Sequence, residues 1–133
     1  MRQQLGGLQL AIMRVLWARG RSSVSEVQQV LLPSRALAYS TIATVLGRLE
    51  RRGLVTHRIE GRTALYEPAA SEGEVTQSAV SRLVDELFAG SPAELVSHLL
   101  ESRDIDAEEL ARIKELIRRH EGMRRGTGGR GGR

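Results

Sequence analysis

The apolar residues of this chain change their period once within the first 70 positions, and that change limits what the segment can fold into. Up to Gly53 they recur at helical spacing in three short runs; beyond it two β-rich runs flank Glu60-Gly61. Leu8, Ile12, Val15 and Leu16, with Met13 and Trp17 alongside, predict a first helix that stops at Gly20. Ser23 and Glu26 have capping-box spacing, in which hydroxyl and carboxylate each satisfy the other residue's backbone N–H. Val27, Val30 and Leu31 then predict a short second helix, closed by Pro33. A third opens at Tyr39-Ser-Thr with Ile42, Val45, Leu46 and Leu49 on one side, and Gly53 stands where a C-terminal cap favours glycine. LVTHRI and RTALYEP predict two strands around a tight turn at Glu60-Gly61, the second ended by Pro68.

Three helices followed by a hairpin is the order of a winged helix-turn-helix, expected here over residues 1–70, with the third helix placed to enter a DNA groove and the hairpin to touch backbone. Beyond it three more helices are predicted. One runs from about Glu74 to Phe88 with Val80, Leu83, Val84, Leu87 and Phe88 on one side. The next is opened by Ser91-Pro-Ala-Glu94 and carries Leu95, Val96, Leu99 and Leu100. The last starts after Asp106 and presents Leu110, Ile113, Leu116 and Ile117 before Gly122. Residues 71–121 are too few to bury three apolar stripes without a disulfide or metal, so the expectation is a helical dimerisation domain packed on a second copy. Residues 122–133, half glycine with one apolar anchor, Met123, are expected to form a disordered Gly/Arg tail. The fold class is mainly α with a small β-hairpin.

Charge follows the same division. Residues 1–70 carry ten Arg against four Glu, residues 71–121 carry six basic against twelve acidic groups, and the last twelve residues carry four Arg. A basic half joined to an acidic one suits a first half that meets a polyanion and a second that avoids it. Nineteen of the twenty cations are Arg, which fits bidentate contacts to phosphate and base edges and equally fits a GC-rich genome. With no cysteine, thiolate metal sites and cysteine nucleophiles are excluded; His57, His98 and His120 fall on different elements and form no catalytic set. An enzyme, a cofactor and a metal centre are therefore not expected. No apolar run is long enough to cross a membrane and no export signal is recognisable, so a cytoplasmic protein is expected, bound to the nucleoid when it holds DNA. Only four aromatic rings are present, too few for a platform that stacks single-stranded bases.

The third helix carries the functional signal. At 100° per residue its outer arc holds Ser40, Thr41, Thr44, Arg48 and Arg51, opposite Ile42, Val45, Leu46 and Leu49. Small hydroxyls let a helix approach base edges, and arginine can fork onto guanine. The plainer reading makes the hydroxyls helix caps and the arginines a solvated face. Gly47, beside the outer arc, costs roughly 1 kcal/mol relative to Ala in a helix interior; close approach to DNA or to the second helix explains it, and so does drift. Arg58 and Arg62 flank the predicted turn and are candidates for phosphate contact. The rival to a DNA-binding reading is a winged-helix module that binds protein.

LGGLQLAIMRVLW, SSVSEVQQVL, AYSTIATVLGRLERRGLV and GRTALYEP together resemble the penicillinase and methicillin-resistance repressors (BlaI/MecI type, with the copper-responsive CopY repressors as relatives), over about residues 5–120. The third motif is the most specific. The resemblance implies a dimeric antibiotic-resistance-type repressor that binds a palindromic operator and dimerises through its C-terminal helices. It places Ser40, Thr41, Ala43, Thr44 and Arg48 on the recognition helix, Tyr39 beside the DNA backbone and Arg62 on the wing. Such repressors are inactivated by cleavage triggered by a membrane-bound sensor protease; the corresponding stretch here is LVSHLLES, with His98-Leu99 in place of an Asn-Phe bond. The paired cysteines of the copper-responsive relatives are missing. Gln9, Ala11 and Gly47 depart from the usual family pattern.

Overall fold

The computed structural model describes residues 5–131, with side-chain surroundings as far as Arg125. The elements follow in the order α1 (Gly7–Arg19), β1 (Ser22–Ser23), α2 (Val24–Leu31), α3 (Tyr39–Arg51), β2 (Val55–Glu60), β3 (Thr63–Pro68), α4 (Glu72–Leu87), α5 (Pro92–Ser102) and α6 (Ala107–Gly131). They form two compact units, Met1–Leu83 and Val84–Arg133.

In the first unit the three short helices close on one another through the predicted apolar stripes. Ile12, Met13, Val15 and Leu16 of α1, Val24, Val27 and Leu31 of α2, and Ile42, Val45, Leu46 and Leu49 of α3 form one buried cluster with Val55 of β2. Truncating such a residue forfeits its transfer free energy and leaves a cavity, a loss of about 2–5 kcal/mol for Leu to Ala. The capping box at α2 is formed: the Ser23 hydroxyl accepts from the Glu26 amide at 3.1 Å and the Glu26 carboxylate accepts from the Ser23 amide at 2.8 Å. Gly53, just beyond the Arg52 cap of α3, has φ +80, backbone that a side chain would strain.

The sheet has three strands in the order β1-β3-β2, all antiparallel. Sequence reading misses β1, because a two-residue strand has no periodicity of its own and exists only through pairing of Ser22 with Tyr66 and Ser23 with Leu65. It also places the hairpin turn one residue early. Glu60 pairs with Thr63, so the turn is Gly61-Arg62, with Gly61 at φ +66.

The two units divide within α4, between Leu83 and Val84, so the greater part of that helix lies in the first unit. One long-range bond joins the start of this segment to α1, and a local capping box begins the helix. The Trp17 indole of α1 donates to the Ala70 carbonyl at 2.9 Å, and Ser71 and Glu74 form a capping box at 3.0 and 2.9 Å that starts α4 two residues earlier than its apolar pattern suggests. Val80 and Leu83, read as dimerisation residues, accordingly lie in the first unit.

The second unit contains the last turn of α4, then α5 and α6. Ser91 caps α5 with Pro92 at its first position, and Asp106 caps α6 by accepting from the Glu109 amide at 2.8 Å. Phe88 lies against His98 with ring centroids 5.8 Å apart. Val84 is buried; Phe88, Leu95 and Ile113 are half-buried; Leu87, Leu99, Leu110, Leu116 and Ile117 are exposed. Among the described residues α6 runs from Ala107 through Gly122 to Gly131, and the last two residues lie outside them.

Candidate nucleic-acid interface

The exposed side of α3 is where chemistry and geometry coincide. Its N-cap is Ala38, in extended backbone and with no side-chain cap bond. Ser40 and Thr41 are exposed and, among the described residues, neither hydroxyl is used in a hydrogen bond. The capping explanation of these hydroxyls is thereby removed. Tyr39, Thr44, Arg48 and Arg51 are exposed alongside them, and Ala43 is half-buried. Neither Arg48 nor Arg51 has an ion-pair partner among the described residues, so both guanidiniums are available to an anion. The first turn of α3 adds backbone amides without intrahelical acceptors, and its dipole favours a phosphate there.

Gly47 is not required by packing. A Cβ built on it meets only the Arg51 Nη1 atom, at 3.8 Å, an ordinary contact, so close approach to α2 does not explain the glycine. Gly47→Ala is expected to raise stability by about 1 kcal/mol in urea denaturation. A simultaneous fall in operator affinity would mark close approach of DNA to this turn.

The connector and the wing are fixed to α3 by polar side chains whose partners no sequence pattern marks. Gln28 of α2 donates to the Leu37 carbonyl at 2.8 Å, holding the chain just before α3. Gln9 accepts from the Gly6 amide at 3.1 Å and from the Arg52 guanidinium at 3.2 Å, joining the start of α1 to the end of α3. His57 of β2 contacts the Glu50 carboxylate of α3 at 2.8 Å and lies against Tyr66, ring centroids 5.1 Å apart. Burial pushes the Tyr66 phenol above its ordinary pKa, with Glu50 and then Tyr39 adding to the shift, so it stays protonated near neutrality. The only advance signal for these contacts is polar residue type at α3-facing positions, which is not specific.

Strand register fixes which face of the hairpin carries each paired side chain. Cross-strand partners share a face, so His57 and Tyr66 point toward α3 while Arg58, paired with Leu65, points to the other side. There Arg58 lies 3.8 Å from Glu67, which also binds Arg21 at 3.3 Å, and Arg21 reaches Glu60 at 3.0 Å. Arg58 therefore lies on the face of the hairpin away from His57, exposed and beside Glu67. Arg62 is at the turn, exposed and without an ion-pair partner among the described residues. Ile59, 61 % exposed on the α3-facing side of the hairpin near its tip, is an apolar wing residue that pattern alone does not mark as functional.

A three-helix unit with a β1-β3-β2 sheet and an uncovered third helix is a winged helix-turn-helix. The sequence profile of the family described as "Penicillinase repressor" matches residues 5–119. The chain belongs to this family, which consists of transcriptional repressors and not of enzymes. The transcriptional regulator BlaI of Mycobacterium tuberculosis is 32% identical over 111 residues, covering 82% of this chain and 80% of its own. The penicillinase repressor of Bacillus licheniformis is 24% identical over 122 residues, covering 92% and 95%. Among solved structures, the solution structure of the DNA binding domain of the repressor BlaI is 30% identical, covers 54% of this chain and 88% of that one, and has a TM-score of 0.49. Among the described residues, no helix is long and apolar enough to cross a membrane and no cluster of three or more His, Asp or Glu is arranged to hold a metal ion.

Proposed function

We propose that two copies of this chain bind an inverted-repeat operator in double-stranded DNA and repress transcription by excluding RNA polymerase. The observation that carries this reading is the uncovered outer arc of α3, with hydroxyls free of capping duty and arginines free of carboxylates. Ser40, Thr41, Ala43 and Thr44 face base edges, Arg48 forks onto guanine, and Tyr39, Arg51 and Arg62 meet the backbone. The two recognition helices occupy successive major grooves roughly 34 Å apart. The apolar side chains exposed on α4, α5 and α6 support dimerisation, Leu87 at 69 %, Leu116 at 53 % and Ile117 at 51 %. Leu99 and Leu110 are exposed as well, and Leu95, Ile113 and Phe88 are half-buried.

The protein acts in the cytoplasm, on the nucleoid. Release follows from any event that separates the copies. Cleavage at His98-Leu99 through a membrane sensor protease is one such event; both residues are exposed on α5, which must unwind locally to enter a protease.

Selection of bound fragments from the source genome, followed by titration at several salt concentrations, tests the proposal. Symmetric fragments and affinity that falls steeply with salt are expected, because each neutralised phosphate releases counterion. Binding that is absent, or indifferent to ionic strength, favours a protein-interaction module instead. Arg62→Ala is expected to weaken cognate and random DNA equally and to lower the salt slope by about 1. Arg58→Ala, already paired across the sheet, should change that slope less.

A further inference from the structure

A cavity of about 650 Å³ opens in the first unit between α1, the corner from α3 into β2, and the early turns of α4. It touches α3 only beyond its C-terminal end, at Arg52, and uses none of the outer arc. Leu5, Leu10, Leu54 and Val75 supply apolar wall, and three arginines, Arg14, Arg52 and Arg82, line it against a single carboxylate, Glu74. That carboxylate is already engaged with the Ser71 amide at 2.9 Å, and Arg52 with Gln9 at 3.2 Å. Arg14 and Arg82 have no hydrogen-bond or ion-pair partner among the described residues, and Arg82 is half-buried.

A half-buried guanidinium beside apolar wall carries a desolvation cost that an anion relieves through charge-assisted hydrogen bonds. The volume lies within the range of small-molecule sites, about 300–1,000 Å³, which combine apolar lining with a few polar groups that orient the ligand. We propose that this cavity binds a small monocarboxylic acid with an apolar body, its carboxylate held by Arg82 and Arg14 and its body packed on Leu5, Leu10, Leu54 and Val75. The charge balance of the wall selects an anion over a neutral or cationic amphiphile of the same shape. The proposal does not depend on the operator reading, because ligand binding is measured without DNA.

The experiment is calorimetric titration of the full chain with decanoate, decanol and decyltrimethylammonium. Saturable binding of one decanoate per chain is expected, with decanol at least about tenfold weaker, the scale of a lost hydrogen bond to a charged group. Decyltrimethylammonium should not bind. Arg82→Gln and, independently, Arg14→Gln should weaken decanoate by a similar factor and leave decanol unchanged. Val75→Trp, which fills the cavity, should abolish decanoate binding while circular dichroism and operator affinity in the absence of ligand stay as in the parent. The proposal is overturned by equal affinity for decanoate and decanol, by no saturable decanoate binding, or by decanoate binding that survives Val75→Trp and so belongs to the exposed apolar side chains of the second unit. Decanoate binding that appears only on dilution to monomer assigns the cavity to a segment of a second copy and also overturns it.

Discussion

Leu116→Asp is expected to give a folded monomer that binds the operator about 10²–10⁴ times more weakly than the parent, since a second half-site contact acts at high effective concentration only while the copies are joined. Leu116 is 53 % exposed on α6, so an aspartate there costs little within one chain; on an interface between copies it buries an unpaired charge. Sedimentation gives the mass and fluorescence anisotropy the affinity. Leu83 is a poorer place for the same test, because it is half-buried in the first unit and an aspartate there threatens the fold that carries α3. A Leu116→Asp protein whose mass equals the parent's in concentrated and dilute solution would remove α6 from the dimer contact.

Arg48→Ala is expected to reduce the preference for cognate over random DNA by about 1–3 kcal/mol, roughly five- to 150-fold, the value of one bidentate arginine–guanine contact. Thr44→Ala should act in the same direction, through loss of an exposed hydroxyl and methyl on the outer arc of α3. Competition titration with the selected operator and a scrambled duplex separates the two possible roles. Equal loss on both duplexes places Arg48 on phosphate; loss confined to the operator places it on a base. Neither substitution touches the core, so thermal unfolding should stay close to the parent.

Helical periodicity located α1, α2 and α3 and selected Ile42, Val45, Leu46 and Leu49 as the buried side of α3, because that side must meet α1 and α2. The same pattern left Ser40, Thr41, Thr44, Arg48 and Arg51 outside, so the candidate DNA face follows from apolar spacing by subtraction. The wing was legible only in part. Alternation in LVTHRI and RTALYEP marks strands but leaves the turn free to slide by one residue, and one residue of register decides which face of the hairpin carries Arg58. The bond from Trp17 to Ala70 was not legible either, since it joins residues far apart in sequence and no local pattern announces it.

The sequence by itself determined the number and amphipathic sides of the helices, their caps at Ser23, Ser91 and Asp106, and the concentration of arginine in the first half, because each depends on residues within a turn or two of one another. Tertiary structure alone decided the third strand at Ser22-Ser23, the orientation of Arg58 toward Glu67, the grip of Gln9 on Arg52 and the cavity beneath α4. These depend on which distant backbone or side-chain atoms come to lie opposite a residue, and that is set when the elements pack together.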